Sequence, residues 1–325
     1  MAIASAAPRN IDPENLKKRS NRNLPERIVT VILFTCASIS VFTTIFIVVI
    51  LASETIQFFS QPIVSLGEYL FGATNSAGEY TCSWTPQFSG AQKHFCIWPT
   101  IAGTFLVSVI AMFVAIPIGL ATSAYLSEYA TPKVGKILRP LVELLAGVPT
   151  VVYGYFALLF ITPILRAVIP GAQQFNALSA GLVMGFMIVP TVASISTDAM
   201  RSVPQALRDA AYGIGATKQE VTTKVVFPAA LSGIAAAIIL GISRAVGETM
   251  IVSIAAGQKP TLTLNPLETI GTMTAYITQV TKGDARVGSV EYQALFAVGM
   301  TLFLITLGLN LISKVVSSRL QEKYD

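Results

Sequence analysis

The chain has 325 residues, 53% of them hydrophobic and 12% charged, with a formal net charge of +5. The charges are grouped between long uncharged stretches, a distribution that belongs to a bilayer and excludes an ordinary water-soluble domain. Lys and Arg are dispersed over the loops without an aromatic platform or a basic stripe, which sets nucleic acid aside as a partner.

A spanning helix needs roughly 20 apolar residues to cross the hydrocarbon core of a bilayer. Six charge-free runs meet that length: Ile28 to Ser53, Phe95 to Ser127, Leu144 to Leu165, Ala167 to Thr197, Val225 to Ser243 and Tyr292 to Ser313. The expected fold class is therefore an all-α membrane protein with six transmembrane helices, in contact with membrane lipid. Residues 1–27 read as a polar, basic tail, and residues 28–53 as the first span. That first run is too long for a signal-peptide core and lacks an evident cleavage site, so it reads as an uncleaved anchor. Residues 54–94 read as an external loop with a short amphipathic segment. Residues 95–313 read as a five-helix core with a loop at 198–224, and 314–325 as a second tail.

Positive charge sets the orientation. With the N-terminus inside, sixteen of the 22 Lys and Arg residues fall on the cytoplasmic side, in both tails and in the loops holding Lys133 to Arg139 and Arg201 to Lys224. Five fall outside, and Arg244 is left within the membrane. Both termini are expected to be cytoplasmic. Cys82 and Cys96 then lie on the external side, where an oxidising compartment permits a disulfide. Cys36 lies inside the first span as a packing residue. Two cysteines and the lone His94 are too few for a zinc site, and no metal is implied.

The segment from Asp198 to Lys224 is the most informative. Ser202-Val203-Pro204-Gln205 has the form of a helix start, with Ser at the N-cap, Pro in the first turn and Gln at the reciprocal position. Leu207, Ala210, Ala211 and Ile214 then recur at helical spacing, which predicts one apolar face on a helix from Val203 to Ile214. Gly215 can end that helix in a left-handed conformation. Thr217-Lys218-Gln219-Glu220 is a second capping box, and Pro228 predicts a kink in the helix it starts. On general grounds such a helix lies on the membrane surface or packs against its own bundle, while its small alanines would also let a partner protein approach closely.

Asp209-Ala210-Ala211, followed by Gly215, Val225 and Phe227-Pro228, resembles the Glu-Ala-Ala signature of ABC importer permeases. The alanines, the glycine, the proline and the spacing match, while Asp, Val and Phe replace Glu, Ile and Leu. Trp98 to Thr104, Tyr125 to Ala130, Glu143 to Gly154 and Arg244 to Met250 are similar to stretches of phosphate importer permeases. The third of these, with Glu291 to Ala297, is most similar to the PstC-type subunit. The resemblance implies a type I ABC importer permease fold (MetI-like) in a bacterial inner membrane, with a cytoplasmic coupling helix that docks an ATPase through Leu207, Asp209, Ala210, Ala211, Ile214 and Gly215. It also implies a second, PstA-type permease, two copies of the ATPase and a periplasmic phosphate-binding protein. No Gly-x-x-x-x-Gly-Lys-Ser/Thr loop occurs in the sequence. ATP and Mg are therefore assigned to the partner, and this chain is assigned neither a catalytic residue nor a cofactor of its own.

Arg244 and Glu248 stand four residues apart at the end of the fifth run. A charge within the bilayer costs at least about 2.5 kcal/mol, so an intramembrane Arg normally faces protein or water. Helical spacing predicts that the two side chains pair. One reading makes Arg244 a contact for transiting phosphate, moderated by Glu248; the other makes the pair a structural staple. A permease for sulfate or molybdate, or a scaffold without transport, would share much of this pattern.

Overall fold

The computed structural model describes residues 23–74, 80–86, 93–283 and 285–320, so most of the 1–27 tail and the last five residues of the 314–325 tail lie outside the described residues. Two compact units divide the chain at Ser53 and Glu54. The described part of the first is helical and belongs to α1 (Asn23–Phe59), which continues as one helix into the second unit. Glu54 thus does not end the first span, since glutamate is a good helix former.

In the second unit, the segment after α1 is packed rather than loose. Helix α2 (Leu66–Phe71) is capped by Ser65, whose hydroxyl accepts the Gly67 amide. Strands β1 (Ala73–Thr74) and β2 (Tyr80–Thr81) pair antiparallel, and Cys82 and Cys96 are joined by a disulfide with Cα atoms 5.2 Å apart. Phe58, Tyr69, Trp84 and Phe95 meet edge to face around that bond, and Tyr276 completes the contact with Trp84 at 5.1 Å between ring centres. Such pairs add about 0.5–1.5 kcal/mol each beyond the area they bury. The Tyr69 hydroxyl reaches the Ala297 carbonyl and Thr301, 3.1 and 2.7 Å away. Burial pushes the Tyr69 and Tyr276 phenols above the usual tyrosine range, and the Glu291 carboxylate adds to the shift at Tyr276.

The remaining elements build a bundle. Helix α3 (Trp98–Ala124) continues through a widened π turn at Tyr125–Tyr129. Pro132 holds Thr131 extended and so ends the helix there. Helix α4 (Pro132–Ala146) is amphipathic and buries none of its residues. The next span is α5 (Thr150–Phe156), a π turn at Ala157–Ile161 and α6 (Thr162–Val168). Leu144 to Ala146 therefore leave the expected third span and end α4, because Gly147-Val148-Pro149 interrupts the helix between them. Helix α7 (Ala177–Arg201) begins ten residues later than the uncharged run suggests. The Asn176 side chain caps it by accepting the Ser179 amide at 2.7 Å.

Then come α8 (Gln205–Gly213), α9 (Lys218–Glu220), a π turn at Val221–Val226 and α10 (Phe227–Ala229). Helix α11 (Leu231–Val246) follows after a 72° bend, two residues beyond Pro228, which cannot donate a backbone hydrogen bond. A short π turn (Val252–Ala256), α12 (Met273–Lys282) and α13 (Val290–Leu320) complete the described chain. Among the described residues, five helices are long and apolar enough to span, and six if the bent pair around Ala230 is one span.

Close approach of α3 and α7 forms the centre of the bundle. A Cβ added to Gly181 would lie 2.7 Å from the Ile110 Cβ, and one on Gly185 would lie 2.8 Å from the Ala111 carbonyl oxygen. Glycine four residues apart lets the two backbones touch, the usual device for helix association in a bilayer. Gly185→Leu is expected to separate α3 from α7, at a cost of at least the 1–3 kcal/mol or so typical of overpacking. Size-exclusion profiles in detergent would show loss of the folded species. Gly308→Ala, which meets nothing within 4 Å, leaves the profile unchanged. Replacing Cys82 and Cys96 with Ser is expected to cost about 3 kcal/mol in the chain-entropy account, seen as faster proteolysis of residues 54–97. Two readily alkylated thiols in the unreduced protein would contradict the bond.

Candidate coupling and translocation sites

The turn between α7 and α9 is organised by one guanidinium. Arg208 donates from Nη2 to Glu128 Oε1 at 3.0 Å and from Nε to Oε2 at 3.4 Å. It also donates to the Met200 carbonyl at 2.7 Å and the Val203 carbonyl at 2.5 Å. Those carbonyls belong to the end of α7, where backbone acceptors lack helical partners. Arg208 and Glu128 keep only 9% and 7% of their side-chain surface exposed. Arg201 adds a bond to the Leu126 carbonyl at 2.9 Å, and Arg139 of α4 pairs with Asp198. The ends of α3 and α7 are thereby joined to α4 and α8.

This anchoring decides which side of α8 looks outward. Ala211 is 7% exposed and packs with Met200, Val203, Val221, Val226 and Ile234, and Leu207 is half-buried against the same group. Asp209, Ala210, Gly213 and Gly215 are exposed, and Ile214 is 88% exposed. The expected single apolar face of Leu207, Ala210, Ala211 and Ile214 is therefore divided. At 100° per residue, fixing Arg208 inward keeps Ala211 near it and turns Ala210 to the far side, while Ile214 is the C-cap, where the helix that would have placed it beside Leu207 has ended.

The expected cap at Ser202 is also corrected. Ser202 terminates α7, donating its hydroxyl to the Ala199 carbonyl at 2.8 Å, so Pro204 precedes α8 without a side-chain cap. Gln205 turns to Asp209 instead, at 3.1 Å. Gly215 takes φ +88°, the left-handed geometry that ends α8 without a Cβ penalty. Thr217 and Glu220 form the reciprocal capping box, with the Thr217 amide 3.0 Å from Glu220 Oε2.

The second site lies at the end of α11. Arg244, in its last turn, donates from Nη1 to Thr191 Oγ1 of α7 at 2.8 Å. Glu248 is not its partner, a correction to the helical pairing expected from their spacing. The helix stops at Val246 and turns at Gly247, so the two residues no longer share a face. Glu248 Oε1 instead accepts the Met250 and Ile251 amides at 3.0 and 3.3 Å, capping the short helix that begins there. Among the described residues Arg244 has no carboxylate within 4 Å.

Beyond that helix the backbone leaves regular structure, and its polar groups are met by the segment before α7. Gln173, Ala177 and Leu178 donate to the Leu267, Glu268 and Pro266 carbonyls, and Ile270 donates to the Ala256 carbonyl. Irregular backbone near a bilayer needs such partners. Sequence reasoning missed three of the residues used here. Arg208 counts there only as a topology charge, and Thr191 carries no mark. The one available signal was Glu128, an acid closing an uncharged run just before Lys133, Lys136 and Arg139.

Comparison with known proteins agrees with this architecture. Residues 115–322 match the family described as binding-protein-dependent transport system inner membrane component. The chain is 33% identical over 304 residues to a probable ABC transporter permease protein, YqgH, of Bacillus subtilis, covering 94% of each chain. It is 29% identical over 298 residues to the phosphate transport system permease protein PstC of Mesorhizobium japonicum, covering 86% of this chain and 88% of that one. In fold it is similar to a chain of a bacterial ABC transporter involved in the import of the acidic polysaccharide alginate. That match has a TM-score of 0.60 at 16% identity over 95% of this chain and 100% of that one. An outward coupling-type helix, a bundle of apolar spans and a family match over most of their length lead to one conclusion: the chain belongs to the binding-protein-dependent transport system inner-membrane components, the permease subunits of ABC importers.

Proposed function

We propose that this permease carries inorganic phosphate across the bacterial inner membrane. It forms a pore with a second, PstA-type permease, is driven by two copies of an ATPase, and is supplied by a periplasmic phosphate-binding protein. The observation that carries the proposal is Arg244, a guanidinium between α11 and α7 that donates to the Thr191 hydroxyl and has no carboxylate partner among the described residues. Its planar set of donors suits the oxygens of phosphate. Relatives named as phosphate permeases support the same ion. A similar stretch is shared with a protein named PstA 1 of Mycobacterium tuberculosis, 34% identical over 179 residues, which supports pairing with a homologous subunit.

On the orientation given by the Lys and Arg distribution, α8 faces the cytoplasm, where ATP and Mg are held by the ATPase. Its outward residues Asp209, Ala210 and Ile214 provide the contact, and Ala210 lets another surface approach closely. Leu207, Ala211 and Gly215 set the position of that face. Arg208 and Glu128 hold the helix to the permease, so movement of the ATPase is passed to the ends of α3 and α7.

Reconstituting the chain with its companion permease and ATPase, and measuring ATP turnover with binding protein loaded with phosphate, sulfate or molybdate, tests the substrate. Stimulation by sulfate or molybdate in preference to phosphate would overturn it. Arg244→Gln is expected to leave an assembled complex that hydrolyses ATP without moving phosphate, and Arg244→Lys recovers little because it lacks the paired donors. Glu248→Gln keeps an acceptor for the Met250 and Ile251 amides and is expected to retain transport. Wild-type uptake in Arg244→Gln would place the path elsewhere.

Ala210→Glu, on the exposed side of α8, is expected to detach the ATPase or uncouple hydrolysis from uptake while the permease stays folded. Ala211→Glu buries an unpaired carboxylate and is expected to lose folded protein, by about 3–5 kcal/mol. Unchanged ATPase co-purification and uptake in Ala210→Glu would remove α8 from the contact.

A further inference from the structure

A cleft of about 460 Å³ opens where α3 ends, α4 begins and α7 ends. Lys136, Arg139 and Arg201 all line it. Arg139 is paired with Asp198, and Arg201 donates to the Leu126 carbonyl. Lys136 is exposed and makes no ion pair among the described residues. Three cations against one carboxylate leave the cleft with an excess of two positive charges.

The cleft adjoins an apolar stripe. Ile137, Leu141 and Leu144 of α4 are exposed at 63%, 52% and 67%, and α4 buries nothing. In sequence, α4 lies between two candidate spans, Trp98–Tyr129 and Thr150–Val168. It therefore runs at the level where hydrocarbon gives way to water. A basic helix with one apolar side at that level lies in the interface, its apolar side among acyl chains. A free phosphate ion would meet the cations but leave the apolar stripe in water. A phospholipid occupies both surfaces, and the positive excess disfavours the ammonium group of a zwitterionic head.

We propose that this cleft binds the headgroup phosphate of an anionic phospholipid, whose acyl chains lie along Ile137, Leu141 and Leu144. The lipid would occupy the junction of α4 with α3 and α7 that Arg139 and Asp198 also hold. Its binding is independent of which anion the pore carries.

The test is native mass spectrometry of the transporter purified with its companion permease and ATPase, stripped of lipid and titrated separately with phosphatidylglycerol, phosphatidylcholine and inorganic phosphate. Phosphatidylglycerol is expected to remain bound where phosphatidylcholine is lost. Each basic residue near an anionic surface contributes about fivefold in affinity. Lys136→Gln is therefore expected to weaken phosphatidylglycerol about fivefold, and Lys136→Gln with Arg139→Gln about 25-fold. Lys314→Gln, outside the cleft, changes nothing. Should the double variant fail to co-purify with the ATPase, Lys136→Gln decides alone, because Lys136 makes no ion pair among the described residues. Undiminished phosphatidylglycerol binding in Lys136→Gln, or equal retention of phosphatidylcholine, overturns the proposal. So does inorganic phosphate binding that depends on Lys136 while the lipid is not retained. Absence of any phosphatidylglycerol adduct on the assembled transporter also overturns it, since the companion permease would then cover the cleft.

Discussion

The bond between Arg208 and Glu128 is the constraint on which the coupling end of the permease depends. Removing two charges from water is costly, and a buried ion pair is seldom a net source of stability. Here the cost is offset because the same guanidinium also donates to the Met200 and Val203 carbonyls where the chain leaves α7. One side chain thus ties α8 to the ends of α3 and α7. What it fixes is orientation: with Arg208 held inward, α8 can present only one side to a partner. A helix attached by apolar contacts alone could roll by a residue or two with little change in buried area.

The same economy of polar groups governs the breaks within the bundle. Helix α11 stops at Val246, and the next short helix needs acceptors for its first amides; Glu248 supplies one carboxylate oxygen to two of them. That use of Glu248 releases Arg244 from the neutralising partner its sequence position suggested. The cation instead donates to the Thr191 hydroxyl on α7. Local backbone chemistry, a helix end and its cap, therefore sets the electrostatics of the candidate path. At the opposite end of the bundle, the segments after Gly257 and before Ala177 satisfy one another by backbone hydrogen bonds, so the chain can leave helical structure without stranding polar groups.

At that opposite end the segment after α1 is held by aromatic packing and a covalent bond. Phe58, Tyr69, Trp84, Phe95 and Tyr276 bring together α1, α2, the disulfide-closed segment and α12. Lys93 pairs with Glu291, and His94 Nδ1 lies 3.1 Å from Glu68 Oε1. Residues 93–96 are consequently tied on both sides.

The amino-acid sequence by itself located the apolar stretches, the short helix at the coupling loop, its glycine stop and the capping box at Thr217. Each of these is a local property: apolar length, helical periodicity, or a side chain meeting a backbone group three residues away. Helix ends were less legible. The uncharged runs placed Leu144 to Ala146 in a span and began α7 too early, because hydropathy does not distinguish an apolar surface or loop residue from a membrane-spanning one. Tertiary structure alone decided which residues meet. Arg208 finds Glu128 eighty positions away, Arg244 finds Thr191 fifty-three away, and Glu248 turns to its own backbone despite standing one helical turn from Arg244 in sequence. Spacing reports a shared face only while the helix continues, and a break at Gly247 is enough to exchange one set of partners for another.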